Sequence, residues 1–302
     1  MTTLTGPSPE AASLKALRKD TSRPRDLFNI IMTGVSGLCL GITLVPLFLV
    51  LAFVLVRGIG RVNFALLTQL PPASGSAGGG VGNAIVGTIV VVVIATAIAV
   101  PFGVMAAVYL AEFSEGSQLA RWVRFFTNVL SGVPSIISGV FIYALLVKSR
   151  LTGFSAVAGG VSLAVLMLPT IIRTTDEALQ IIPKEIRWAS VGVGSSRYQT
   201  VLQIVLPAAI PSILTGVTLA ISRAAGETAP LIFTALSSNF WPDISIDGLF
   251  DPIASLSVIV YNFARSPFDP QQELAWAASL ILVLLVLLTS VASRLATSRK
   301  TF

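Results

Sequence analysis

An arginine and a glutamate stand four residues apart inside an apolar stretch of the chain. They are Arg223 and Glu227, and the stretch runs from about residue 210 to 236. At about 1.5 Å of rise per residue, a helix of this length crosses a bilayer, and Arg223 falls near its middle. A charge at that depth costs about 2.5–3.5 kcal/mol, so intramembrane charges usually mark a functional site. The spacing places both side chains on one helix face, where they neutralise each other.

The composition is that of a polytopic membrane protein. The 302 residues are 54% hydrophobic and only 11% charged, whereas globular domains are about a quarter charged. The chain has no histidine, which excludes histidine metal sites and histidine acid–base catalysis. Its single cysteine, Cys39, is expected to be a small packing residue. The sequence contains no Gly-x-x-x-x-Gly-Lys-Ser/Thr loop, so energy for any active process enters through a partner.

The hydropathy pattern predicts an all-α fold with six transmembrane helices. We expect a loosely ordered tail over 1–27 and a transmembrane domain over 28–302. Prolines inside the spans, at 46, 101, 134 and 169, are expected to mark kinks. The predicted spans lie near 28–56, 83–111, 123–147, 156–173, 208–236 and 275–297.

Basic residues segregate to alternate loops. The richer side is cytoplasmic by the positive-inside rule, so both termini are predicted to face the cytoplasm. The positive charge of +6 is thereby explained as a topology signal rather than a nucleic-acid footprint. The cytoplasmic set is Lys15, Arg18, Lys19, Arg23, Arg25, Arg121, Arg124, Arg173, Lys184, Arg187, Arg197, Arg294, Arg299 and Lys300. The external set is Arg57, Arg61, Lys148, Arg150 and Arg265.

Two external loops have distinctive compositions. Residues 71–82 are rich in glycine, which predicts a flexible connection. Residues 237–274 carry several acidic side chains and a short apolar stretch, 253–263. That stretch is too short to span a membrane, so we expect a helix that lies at the interface or packs against the bundle.

The longest cytoplasmic loop, about 174–207, is amphipathic. Apolar residues alternate with charges up to Gly194 and then recur at helical spacing to Pro207. This pattern predicts two short helices around a glycine turn. Such a pair suits helix-in-groove contact with a soluble partner.

The same loop resembles the EAA loop of permease subunits in bacterial ABC importers. Gly194 and the later Ile204, Leu206 and Pro207 reproduce its spacing. The Glu-Ala-Ala positions fall on Trp188, Ala189 and Ser190, so a tryptophan replaces the glutamate. In that family the loop docks a coupling helix into the ATP-binding subunit.

Further motifs resemble the phosphate-specific ABC transporter permeases, and more closely the A-type of the two paired subunits. The resemblance implies a type I permease bundle in a bacterial inner membrane. It also implies a homologous permease, two ATP-binding subunits that hold ATP and Mg²⁺, and an extracytoplasmic phosphate-binding protein. This chain would bind lipid but no cofactor, metal or nucleic acid. The matching stretches are 82–88, 99–103, 107–112, 131–137, 168–179 and 223–231.

This resemblance gives the charged pair a role. Arg223 would bind phosphate oxygens through its N–H donors. Glu227 would hold Arg223 when phosphate is absent and compete for it on release. Ser222 and Thr228 add hydroxyl groups to the predicted substrate pathway.

Several alternatives stay open. Arg223 and Glu227 also fit an inert pair that fixes helix packing. Molybdate, sulfate or another small solute is an alternative cargo, and the alternative classes of protein are an ion-coupled anion carrier, a channel, or a structural subunit or sensor. Asp176 and Glu177, beside Arg173, fit a solvated charge cluster better than a divalent-cation site. The sequence predicts no catalytic residue.

Overall fold

The computed structural model describes residues 24–114 and 116–298, and every regular element in that part of the chain is helical. Short π-helical turns follow α3, α5 and α8 at Tyr109–Phe113, Tyr143–Val147 and Val201–Val205. The helices are α1 (Pro24–Ile59), α2 (Phe64–Thr68), α3 (Gly82–Val108), α4 (Gln118–Gly132), α5 (Ser135–Ile142), α6 (Ala156–Gln180), α7 (Lys184–Gly192), α8 (Arg197–Thr200), α9 (Leu206–Gly226), α10 (Ala229–Thr234), α11 (Leu256–Ala264) and α12 (Asp269–Ser298).

The third predicted span, 123–147, is not one straight helix. Five helical segments of the described chain are long and apolar enough to cross a membrane, and a sixth span exists only if α4 and α5 count as one. These two helices meet at 107°. Val133 has extended backbone angles, φ −73° and ψ 128°, because a residue before proline is sterically disfavoured in the helical region. Pro134 therefore breaks the span instead of bending it slightly.

The fifth predicted span, 208–236, is also interrupted. Helix α9 ends at Gly226, Glu227 is extended with ψ 129°, and α10 begins at Ala229. Pro230 explains the break, since in a continued helix its ring would clash with the carbonyl of Gly226 and it has no N–H to donate. Arg223 thus lies in the last turn of α9. Its placement near the middle of an uninterrupted helix is wrong.

Helix α6 packs against both α3 and α9 through residues without a side chain. A Cβ atom added to Gly216 on α9 would lie 2.1 Å from Oγ1 of Thr174 on α6. A Cβ atom added to Gly103 on α3 would lie 2.8 Å from Cγ2 of Ile171. Small residues therefore let the backbones approach closely, as is common between membrane helices.

The glycine-rich external loop packs tightly onto α2. The amide of Gly80 donates to the carbonyl of Leu70 at 3.0 Å, and that of Val81 donates to Leu66 at 2.8 Å. A Cβ atom on Gly80 would lie 2.3 Å from the carbonyl oxygen of Ala65. Gly80 therefore serves close backbone packing, while the flexibility expected of the loop as a whole stays a prediction.

The apolar stretch of the second external loop forms α11. Leu256, Val258 and Ile259 are buried, and the helix packs against α12. Of the two expected arrangements, packing against the bundle is confirmed.

Most of the predicted tail, residues 1–23, lies outside the described residues. Within the described residues, helix α1 spans Pro24–Ile59. Cys39 lies on this helix, and its expected role as a small packing residue stays a prediction.

Candidate functional site

Arg223 and Glu227 form an ion pair across the end of α9. Nε of Arg223 lies 3.4 Å from Oε1 of Glu227, and their side chains are 57% and 17% exposed. A cation in the last turn of a helix is stabilised by the negative end of the helix dipole. The break after Gly226 thus brings together the two charged residues that sequence reasoning selected, although Glu227 is not part of the helix.

Small residues of α9 hold this pair against α6. Ala220 and Ala224 are buried, and together with Met167 and Thr170 they line a crevice beside the ion pair. The crevice encloses only about 10 Å³, roughly the space of one water molecule. This chain alone therefore does not enclose a phosphate ion at Arg223.

The two predicted hydroxyl residues differ in position. Oγ of Ser222 lies 3.1 Å from Oγ of Ser290 on α12, so it takes part in helix packing rather than joining Arg223. Thr228 follows Glu227 directly in the break and is half-buried. The hydroxyl of Ser257 on α11 donates to the carbonyl of Glu227 at 2.9 Å. This bond satisfies a backbone oxygen that the break removes from the helical ladder.

The structure contains the glycine turn that was predicted for the coupling region. Helices α7 and α8 flank Gly194, whose φ is +93°, a conformation that favours glycine. The hydroxyls of Ser190 and Thr200 lie 2.9 Å apart and join the two helices, while Ser196 and Gln199 form a capping box at the start of α8. The second helix does not end before the fifth span, however, because α8 runs through the π turn into α9 as one segment, Arg197–Gly226.

The coupling residues divide into exposed and buried positions. Trp188 is 66% exposed, Ala189 is exposed and Ser190 is buried. Ile204 lies in the π turn, whereas Leu206 and Pro207 begin α9. Residues of α6, α7 and α8 around Trp188 line a groove of about 790 Å³. The groove also reaches the π turn that follows α3.

Sequence reasoning missed an ion pair in the wall of this groove, between Glu112 and Arg187. Glu112, in the π turn after α3, is 5% exposed. Nη2 of Arg187 lies 2.6 Å from Oε1 of Glu112, and Nε lies 3.1 Å from Oε2. The signals in the sequence are a carboxylate at the end of an apolar run and its place in the family-like stretch 107–112, and neither indicates a partner 75 residues away.

Asp176 and Glu177 each have a basic partner. Oδ1 of Asp176 lies 3.4 Å from Nη2 of Arg124, and Oε1 of Glu177 lies 3.0 Å from Nε of Arg173. The expected charge cluster is present, and Arg173 and Glu177 are solvated at 65% and 60% exposed, but Asp176 is only 14% exposed, so the expectation of a solvated position is wrong for that residue.

Comparison with known proteins defines the class. Residues 99–301 match the family model described as "Binding-protein-dependent transport system inner membrane component". The chain belongs to this family of transport components, which confirms the predicted inner-membrane location. It is also similar in fold to a chain of a solved bacterial alginate ABC transporter, with a TM-score of 0.64 and 14% identity over 93% of this chain and 96% of that one. The predicted ABC importer permease fold is thereby confirmed.

Curated relatives narrow the family further. The phosphate transport system permease protein PstA of Yersinia pestis is 42% identical over 81% of each chain. The protein of that name from Haemophilus influenzae is 40% identical over 90% of this chain and 94% of its own length. The predicted relationship to phosphate-specific permeases is confirmed.

Proposed function

We propose that this chain is the permease subunit through which an ATP-driven importer moves inorganic phosphate into the cell. The observation that carries the proposal is the half-exposed guanidinium of Arg223 at a helix break, held by one contact to Glu227. The names of the curated relatives supply the choice of phosphate.

The geometry suits reversible binding of an oxyanion. Arg223 uses Nε for Glu227, and its two Nη groups make no hydrogen bond to the described residues, 24–114 and 116–298. Those donors match the spacing of phosphate oxygens. Because the contact with Glu227 is long, an arriving anion can replace it, and the carboxylate can recover the guanidinium when the anion leaves.

The family relationship supplies the proposed partners. The exposed face of Arg223 would be completed by a homologous permease, so that phosphate passes between the two. Two ATP-binding subunits would dock at α7 and Gly194, bind ATP and Mg²⁺, and perform the hydrolysis. An extracytoplasmic phosphate-binding protein would deliver the substrate. This chain itself would hold no cofactor.

Uptake of radiolabelled phosphate and sulfate by the reconstituted complex tests the proposal. Arg223→Ala, Glu227→Ala and the double variant are compared, each normalised to assembled complex, with the exposed external Arg265→Ala as the control. We expect all three site variants to lose phosphate uptake and the control to retain it.

Two results would contradict this outcome. Recovery of uptake in the double variant would show that the pair serves helix packing. Transport of sulfate in preference to phosphate by the unaltered complex would assign a different cargo.

A further inference from the structure

One guanidinium ties three elements together on the cytoplasmic side. Besides its two contacts with Glu112, Arg187 donates from Nη1 to the carbonyl of Ile182 at 2.7 Å and from Nη2 to that of Leu179 at 2.9 Å. Leu179 belongs to the last turn of α6, and Ile182 to the turn that follows it. Arg187 therefore fastens α7 to the ends of both α3 and α6.

We infer that Glu112 and Arg187 are positioning residues that transmit movement of α7 to these transmembrane helices. The inference rests on the proposed function, in which α7 docks on an ATP-binding subunit. Arg187 and Trp188 are neighbours on α7, where successive side chains are about 100° apart; Trp188 is exposed, whereas the Arg187 side chain is only 21% exposed. A displacement at Trp188 therefore reaches Glu112 through a single backbone step.

The receiving element is suited to this task. Glu112 lies in a π-helical turn, and such turns occur often at functional sites. The next residue, Phe113, contacts the second coupling helix, with its ring centroid 4.9 Å from that of Tyr198 and 5.7 Å from the guanidinium carbon of Arg197. Both coupling helices thus act on the same turn.

A two-point ion pair transmits force better than an apolar contact would. The carboxylate and the planar guanidinium constrain each other in distance and in orientation. Burial of Glu112 also penalises any state in which the pair separates, because an unpaired buried charge is costly. Helix α7 cannot move away without moving the end of α3.

The test is the number of phosphate ions transported per ATP hydrolysed. The complete complex, with its partner permease, ATP-binding subunits and phosphate-binding protein, is reconstituted in proteoliposomes with Glu112→Gln or Arg187→Gln. The control is Arg61→Gln, which alters an ion pair between Arg61 and Glu273 on the external side. Nε of Arg61 lies 3.3 Å from Oε2 of Glu273 but makes no hydrogen bond. Its arginine is about as buried as Arg187, at 27% exposed.

We expect hydrolysis to continue in both variants while the ratio falls by about tenfold, the factor that corresponds to about 1.4 kcal/mol. The control should keep the wild-type ratio. Arg187→Lys keeps the charge but not the planar fork, so its ratio should lie between those of wild type and Arg187→Gln.

An unchanged ratio would overturn the inference, because a purely structural role changes the amount of active complex and not its stoichiometry. If the glutamine variants do not assemble, Arg187→Lys decides alone: a lowered ratio supports the inference, and a wild-type ratio or a failure to assemble overturns it. Failure of the proposed function is distinguishable, since the unaltered complex would then transport no phosphate at all.

Discussion

The contact between α6 and α9 offers a sharp test of how the charged pair is positioned. Gly216 lies about two helical turns before Arg223, on the side of α9 that meets Thr174. We predict that Gly216→Ala destabilises the protein and lowers phosphate uptake. The added Cβ atom would lie 2.1 Å from Oγ1 and 2.6 Å from Cβ of Thr174.

A rotamer change cannot relieve this clash, because the Cβ atom of Thr174 is fixed by the backbone. Ordinary contact begins at 3.4 Å, so the two helices must separate by roughly the difference, a good fraction of an ångström. Overpacking of this kind costs about 1–3 kcal/mol, of which about 0.5–1 kcal/mol is offset by the better helix propensity of alanine. The displacement extends to Arg223, since the same interface holds the pair against Thr170.

The measurements are the melting temperature of the purified protein and phosphate uptake by the complex. Gly34→Ala is the matched control, as it also lies inside a helix and nothing lies within 4 Å of the added Cβ atom. We expect Gly216→Ala to melt a few degrees lower and Gly34→Ala to melt no lower than wild type. Adding Thr174→Gly removes all three clashing atoms and should restore part of the uptake. Wild-type melting and uptake for Gly216→Ala, or no recovery in the double variant, would refute the reasoning.

Three further predictions concern separate parts of the chain. Gly194→Ala forces a positive φ on a residue with a side chain, which costs about 1–2 kcal/mol. The variant should reduce co-purification of the ATP-binding subunit, and Gly194→Asn should reduce it less. Equal recovery of the subunit in all three proteins would contradict the prediction. Ser257→Ala leaves the carbonyl of Glu227 without its hydroxyl donor and should lower the free energy of unfolding by about 1–3 kcal/mol. Its melting temperature should be lower than that of the control variant Ser149→Ala, which changes an exposed serine. Equal melting temperatures would show that the bond is dispensable. Arg173→Ala removes an ion pair whose members are both more than half exposed, so stability should change by less than about 1 kcal/mol; a fall of many degrees in melting temperature would disprove this.

The sequence alone predicted the elements whose structure depends on neighbouring residues. Long apolar runs gave the spans, and an amphipathic loop with a glycine gave the two coupling helices, because hydropathy and the conformational freedom of Gly194 act over a few residues. The pair of Arg173 and Glu177 was predictable because the two residues are neighbours on one helix turn, whereas the Arg124 partner of Asp176 lies 52 residues away in sequence.

The interruptions and the long-range contacts were not predictable in this way. Proline is tolerated in continuous membrane helices, as at Pro101 and Pro169, yet it ends helices near Pro134 and Pro230. The difference depends on whether neighbouring elements satisfy the freed backbone groups, which no local pattern contains. The direction of the Ser222 hydroxyl depends in the same way on α12, and the pairing of Glu112 with Arg187 depends on the tertiary fold.

The opening between α9 and α10 limits what can stand next to it in the membrane. Its peptide groups leave the regular ladder but keep partners within the chain, since the amide of Glu227 donates to Ala224 at 3.2 Å and its carbonyl accepts from Ser257 at 2.9 Å. The guanidinium of Arg223 beside them is more than half exposed, and acyl chains cannot solvate a charge, so water or another polypeptide must cover it whatever the cargo. A hydration map by radical footprinting should therefore find labelled side chains next to Arg223.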